Sequence, residues 1–164
     1  MPALSSGTIA PNFSLPDMSG KTFSLRDALA EAPLVLAFFK VSCPTCQYTF
    51  PFVERIHKAF GGKFRILGIS QNDKKDTAAF VKEYGVTFPV LLDDTKKYPV
   101  SNAYGLTNVP TLFWVAEDGT IEQSSVGWDK QDIENIYRKA AELVEQKAAP
   151  LFHRGEHIEA FRAG

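Results

Sequence analysis

Hydrophobic and polar positions along the chain fall into runs, alternations and stripes, and their order suggests an architecture. Leu34 to Phe39 is an unbroken apolar run, LVLAFF, set between Pro33 and Lys40. It is too short to cross a bilayer and suits a strand of a parallel sheet buried on both faces. Beyond it Cys46, Phe50, Val53, Ile56 and Phe60 recur at helical spacing, a single stripe facing a core. This predicts a helix from Pro44 to about Phe60. Pro44 takes the first helical position, where its missing N–H costs nothing. Pro51 should kink the interior, and Gly61-Gly62 should end the helix.

Phe64 to Ser70 reads as the next strand, parallel to the first by the logic of a strand–helix–strand unit. Asn72 or Asp73 can cap a second helix, with Thr77, Phe80, Val81 and Tyr84 on one face and Gly85 as its stop. Phe88 to Leu92 is a short apolar segment. Asp93-Asp94, read as a solvated pair, and a helix near residues 96–104 follow it. Thr111–Ala116 and Thr120–Val126 flank Glu117-Asp118-Gly119, a strong hairpin signal. Asp129 can cap a last long helix whose core face is Ile133, Ile136, Tyr137, Ala140, Leu143 and Val144. Ahead of the central run, Phe13-Ser-Leu15 and Thr22–Leu25 read as a small hairpin, with a helical turn over 25–31. Leu151, Phe152, Ile158 and Phe161 mark residues 148–164 as a tail that packs. The expectation is an α/β fold, a mixed central sheet flanked by helices over residues 1–147, with the tail lying on that domain or on a partner.

Composition narrows the function. A chain of 164 residues is most simply one domain large enough for a real core. At 45% hydrophobic and 23% charged, its composition is that of a globular rather than a disordered protein. Eighteen Lys and Arg against nineteen Asp and Glu leave a net charge of -1, so nothing argues for nucleic acid or an anionic membrane surface. The opening Met-Pro-Ala-Leu-Ser-Ser-Gly has neither a basic nor an apolar leader region. As written this points to the cytoplasm, and to an extracytoplasmic site if a leader was removed.

The only two cysteines, Cys43 and Cys46, sit at the junction of the apolar run and the helix. A helix N-terminus offers free amides and a positive dipole end, which favour thiolate over thiol. Two cysteines are too few to staple a scaffold, and at this spacing they can close a small disulfide ring. The first sulfur attacks a partner disulfide, and the second, one turn inside, attacks the mixed disulfide that results. His57 reads as a solvated residue, and Trp114 and Trp128 as packing residues. A zinc site would need a second pair of ligands, which the three histidines do not supply at any usual spacing.

Val109-Pro110-Thr111 opens the strand that leads into the Asp-Gly hairpin, a place where proline is tolerated. With Cys43-Pro44-Thr45-Cys46, Pro51 and the order of elements, it resembles the thioredoxin superfamily. The resemblance implies a cis proline at Pro110 facing the redox pair. It also implies a substrate chain docked along Val109, Pro110 and Thr111. The Ile9–Phe13 opening, the early hairpin and Phe88–Asp93 look like the TlpA-like branch and its peroxiredoxin relatives. That implies thiol–disulfide oxidoreduction, with protein disulfides or dithiols and an unidentified electron donor or acceptor as partners. No cofactor is implied beyond the Cys43–Cys46 pair itself. Pro44, Thr45 and Lys40 stand where they can tune the thiolate, although Lys40 at a strand end also reads as solvent-directed. Two positions depart from the pattern: Ala37 and Thr49 stand where thioredoxins and TlpA-like reductases respectively carry an acid. Lys40, Tyr48, Thr45 or water is left to move the proton of Cys46. The alternatives are a thiol peroxidase, whose pocket would want a threonine where Lys40 stands and an arginine in the strand after Pro110, and a redox-inert binding protein.

Overall fold

A computed structural model describes residues 3–60 and 63–164. The chain runs through the hairpin β1 (Ser14–Pro16) and β2 (Thr22–Ser24), α1 (Leu25–Leu29), β3 (Leu34–Phe39), α2 (Pro44–Ala59), β4 (Arg65–Ser70) and α3 (Lys74–Tyr84). It continues with β5 (Val90–Leu92), α4 (Pro99–Ala103), β6 (Thr111–Val115), β7 (Ile121–Val126), β8 (Trp128–Asp129), α5 (Lys130–Leu143) and β9 (Phe161–Arg162). The predicted stop at Gly61-Gly62 lies outside the described residues.

The apolar run is the middle strand of a five-stranded mixed sheet of order β5-β4-β3-β6-β7. β3 pairs parallel with β4 and antiparallel with β6, so it has no free edge. Its pleat sends Val35, Ala37 and Phe39 to a core shared with α2, α3 and α5. Leu34, Leu36 and Phe38 go to a second core beneath α1, α4 and the hairpin. All six side chains are buried, which explains why the run shows no alternation. Burying each of the large ones is worth roughly 1.5–3 kcal/mol. Phe39 meets Phe50 of α2 at 4.4 Å and Phe80 of α3 at 4.8 Å between ring centroids, which seats both helices over the end of β3.

The caps follow the sequence in most places. Asp73 Oδ1 accepts from Asp76 N, Gly85 ends α3 in the left-handed conformation, and Asp129 caps α5. Four expectations need correction, three of them ahead of the tail. Asp93 is not solvated: it is 3% exposed, because its carboxylate caps α4, accepting from Val100 N, Ser101 N and Ser101 Oγ. His57 is half-buried against Phe88 rather than solvated, with Nδ1 buried and unpaired. Leu143, placed in the core stripe of α5, is 39% exposed, and Ala141 is buried instead.

The tail lies back over the first core. Leu151 is buried, and Phe152 packs on Phe52 at 5.5 Å. Phe161, expected to pack, is exposed, because β9 pairs with β8 through its backbone and alternation turns Arg162 inward instead. Among the described residues no helix is long and apolar enough to cross a membrane.

Candidate active site

β3 ends at Phe39, and Lys40–Ser42 turn the chain into α2. Three bonds hold the turn: Val41 N donates to Asn72 Oδ1 at 2.9 Å, Gln47 Nε2 to Val41 O at 2.9 Å, and Cys43 N to Lys40 O at 3.2 Å. Asn72 therefore serves this loop and leaves the capping of α3 to Asp73.

Cys43 is the N-cap of α2, in extended backbone with φ −84° and ψ 115°. Its Sγ accepts from Cys46 N at 3.2 Å and donates its hydrogen to Val109 O at 3.3 Å. An amide aimed at the sulfur, backed by the positive end of the helix, stabilises negative charge there. Cys43 is half-buried and Pro44 beside it is exposed at the first turn. Cys46 is wholly buried, and burial pushes its thiol far above the ordinary value; a backbone hydrogen bond from Lys40 opposes this only in part. Both thiols are free. One sulfur can be reached and the other waits beneath it.

Across from Cys43 the Val109–Pro110 peptide is cis. Pro110 is buried, and Thr111 Oγ1 donates back to Asn108 O at 2.8 Å, tying the loop to β6. Thus the carbonyl of Val109 meets Cys43, while the Thr111 side chain braces the loop. The Lys40 side chain is exposed, and its backbone makes the contacts with the pair. The Thr45 hydroxyl donates to Ala163 O at 2.6 Å.

Ala37 and Thr49 lie under the pair without a carboxylate, and Thr49 Oγ1 donates to Thr45 O at 2.7 Å. The buried acid of α2, Glu54, is fully occupied elsewhere, accepting from Thr87 N at 2.7 Å and Thr87 Oγ1 at 2.5 Å. Among the described residues no three His, Cys, Asp or Glu side chains are grouped to hold a metal. Sequence reasoning missed Asn72, Asn108 and the residues of the tail at this site. Asn72 was visible only as a cap, and the tail contributes backbone carbonyls, which carry no signature in sequence.

The sheet order, the Cys-x-x-Cys at the head of the first long helix and the proline opposite it define a thioredoxin-like fold. Residues 6–124 match the AhpC/TSA family, and the chain belongs to it. It is 31% identical over 125 residues to the thioredoxin-like protein YneN of Bacillus subtilis, covering 74% of this chain and 71% of that protein. It is 32% identical over 127 residues to the thiol-disulfide oxidoreductase ResA of Bacillus subtilis, covering 76% and 69%. A thiol:disulfide interchange protein of the thioredoxin family from Chlorobium tepidum superposes with a TM-score of 0.68 at 27% identity, over 84% of this chain and 99% of that one. The thioredoxin domain of a thiol-disulfide oxidoreductase from Bacteroides vulgatus shares the fold, with a TM-score of 0.73 at 23% identity over 83% and 97%. These relatives set the chain in the TlpA-like branch of its family. The redox pair and Val109–Thr111 fall inside the matched region, and the tail falls beyond it.

Proposed function

We propose that the protein is a thiol–disulfide oxidoreductase that exchanges electrons with protein disulfides through Cys43 and Cys46. The observation that carries this reading is the unequal placement of the two sulfurs. Cys43 caps a helix 3.3 Å from the Val109 carbonyl, while Cys46 is buried one turn inside.

In the reducing direction the Cys43 thiolate attacks one sulfur of a substrate disulfide. That bond breaks, the other substrate sulfur leaves as a thiolate, and a mixed disulfide forms at Cys43. Cys46 then loses its proton to solvent and attacks Cys43 Sγ, expelling the second substrate thiolate and closing the Cys43–Cys46 disulfide. Two electrons have passed to the substrate, and exchange with a dithiol donor returns them. Val109 and Pro110 would hold the substrate chain beside Cys43, with Thr111 bracing their loop and Pro44 keeping the sulfur open to it. Lys40 and Thr45 would act on the pair through backbone and position.

The test is trapping. Cys46→Ser should accumulate a mixed disulfide through Cys43, detected as a mass increase on incubation with a cysteine-containing peptide disulfide. Cys43→Ser should lose exchange by about 10³-fold or more, since Cys46 is both buried and protonated. Normal insulin reduction by Cys43→Ser would sink the reading.

A further inference from the structure

Residues 148–164 run back across α2 to the redox pair and are fastened along the way. Tyr137 OH donates to Ala149 O at 2.5 Å. Arg55 grips the Glu156 carboxylate with both terminal nitrogens, at 2.8 and 2.6 Å. Trp128 Nε1 donates to Glu159 O at 2.6 Å, and Glu159 N donates to Tyr48 OH at 3.1 Å. β9 then pairs antiparallel with β8, and the Arg162 guanidinium lies 4.7 Å from the centroid of the Tyr48 ring. This path delivers Ala163 and Gly164 to the mouth of the site. Thr45 Oγ1 donates to Ala163 O at 2.6 Å, and Asn108 Nδ2 donates to Gly164 O at 3.1 Å. Gly164 lies so close to the loop that a Cβ on it would collide with Val109 O. That oxygen is the one that accepts the Cys43 hydrogen.

An extended polypeptide docks on a protein edge by giving and taking main-chain hydrogen bonds. Here the edge beside Asn108 and Val109 is already taken by main chain of the same molecule. A recess of about 260 Å³ lined by Lys40, Gln71, Tyr98, Thr107, Asn108 and Val109 has no tail residue in its wall. Lys40 is its one charged group.

We propose that residues 160–164 are a built-in competitor for the docking edge beside Cys43. Polypeptide disulfides react only after displacing them, whereas a small disulfide, which needs no main-chain partner on that edge, reaches Cys43 with them in place. The inference rests on Cys43 being the exchanging thiol. An edge that is free one-tenth of the time lowers the apparent affinity of whatever needs it by about tenfold.

Trapping on Cys46→Ser gives the direct test, with amide hydrogen exchange read over residues 157–164. A mixed disulfide with a ten-residue cysteine peptide should remove the protection of this segment, and one with glutathione should retain it. Retained protection in the peptide adduct overturns the inference. Formation of neither adduct sinks the exchange reading itself and this inference with it.

Two substitutions away from the redox pair give an independent test. Gly127 has φ +74°, and a Cβ there would stand 2.5 Å from Arg162 O, so Gly127→Ala should lift β9. Arg162→Pro should do the same by removing an amide from the β8–β9 ladder. In each, insulin reduction should rise about fivefold or more while turnover of oxidised glutathione stays within about twofold. Equal changes with both substrates, or no gain with insulin once hydrogen exchange shows the segment released, would overturn the proposal.

Discussion

Cys43 and Cys46 are separated by two residues, yet one accepts a helix amide at the surface and the other is sealed beneath Phe39, Phe50 and their neighbours. Burial raises the Cys46 thiol above its ordinary value of 9.0. Its thiolate fraction therefore climbs about tenfold per pH unit through the whole neutral and mildly alkaline range. Resolution of a mixed disulfide at Cys43 should follow, with no plateau below about pH 9. Stopped-flow release of the second substrate thiol checks this, and a plateau near neutrality would mean that a nearby group takes the proton. Both cysteines were legible in the sequence because the pair is unique and its helix stripe is local. The missing acids at Ala37 and Thr49 were legible too. What stands in for them was not, since that depends on neighbours brought in by the fold.

Among the elements, α4 shows how far a cap can be misread. Its first turn has no capping side chain of its own, because Tyr98 at the N-cap makes no such bond. Asp93, seven residues before Val100, supplies the acceptors instead. Asp93→Ala would leave the Ser101 hydroxyl and three amides, those of Asp94, Val100 and Ser101, without acceptors. It should cost about 2–4 kcal/mol and lower the melting temperature by roughly 5–10 °C. Thermal unfolding followed by circular dichroism checks it, and a loss below about 1 kcal/mol would mean that water replaces the carboxylate. Two adjacent aspartates after an apolar strand look solvated by composition alone. Only the path of the chain from β5 to α4 shows that the first turns inward. The strands were easier to read, because β3, β6 and β7 owe their burial to runs and turns that the sequence displays directly. Trp128 and Phe161 sit in ladders two residues long, where pairing rather than periodicity decides which side chain faces out.

Across the whole molecule the tail is held by an ion pair that responds to acid. The Arg55 guanidinium, followed by the His153 amide, lowers the Glu156 carboxyl to about 2 from an ordinary 4.5. A carboxyl depressed in the folded state stabilises it above its unfolded value, and the contribution is lost as pH falls through the folded one. The Arg55–Glu156 clasp should therefore be intact at neutral pH and fade between about 4.5 and 2. The indole N–H resonance of Trp128, bonded to the tail at Glu159 O, reports this: it should shift over that window, and Arg55→Met should abolish the shift. An unchanged resonance in the wild-type protein would mean that the remaining anchors suffice. The seat of the tail was the least legible part of the site. Its apolar residues announced that it packs, but Ala163 and Gly164 reach the pair through carbonyl groups that every residue owns.

The hydrogen that Cys43 gives to Val109 O is present only while that sulfur is a thiol. Once Cys43 is joined to Cys46 it has no hydrogen to give, and the carbonyl loses its donor. The two redox forms thus offer visitors different terms. On the proposed exchange, the oxidised form leaves the Val109 carbonyl without this donor, and the reduced form fills it again with its own sulfur.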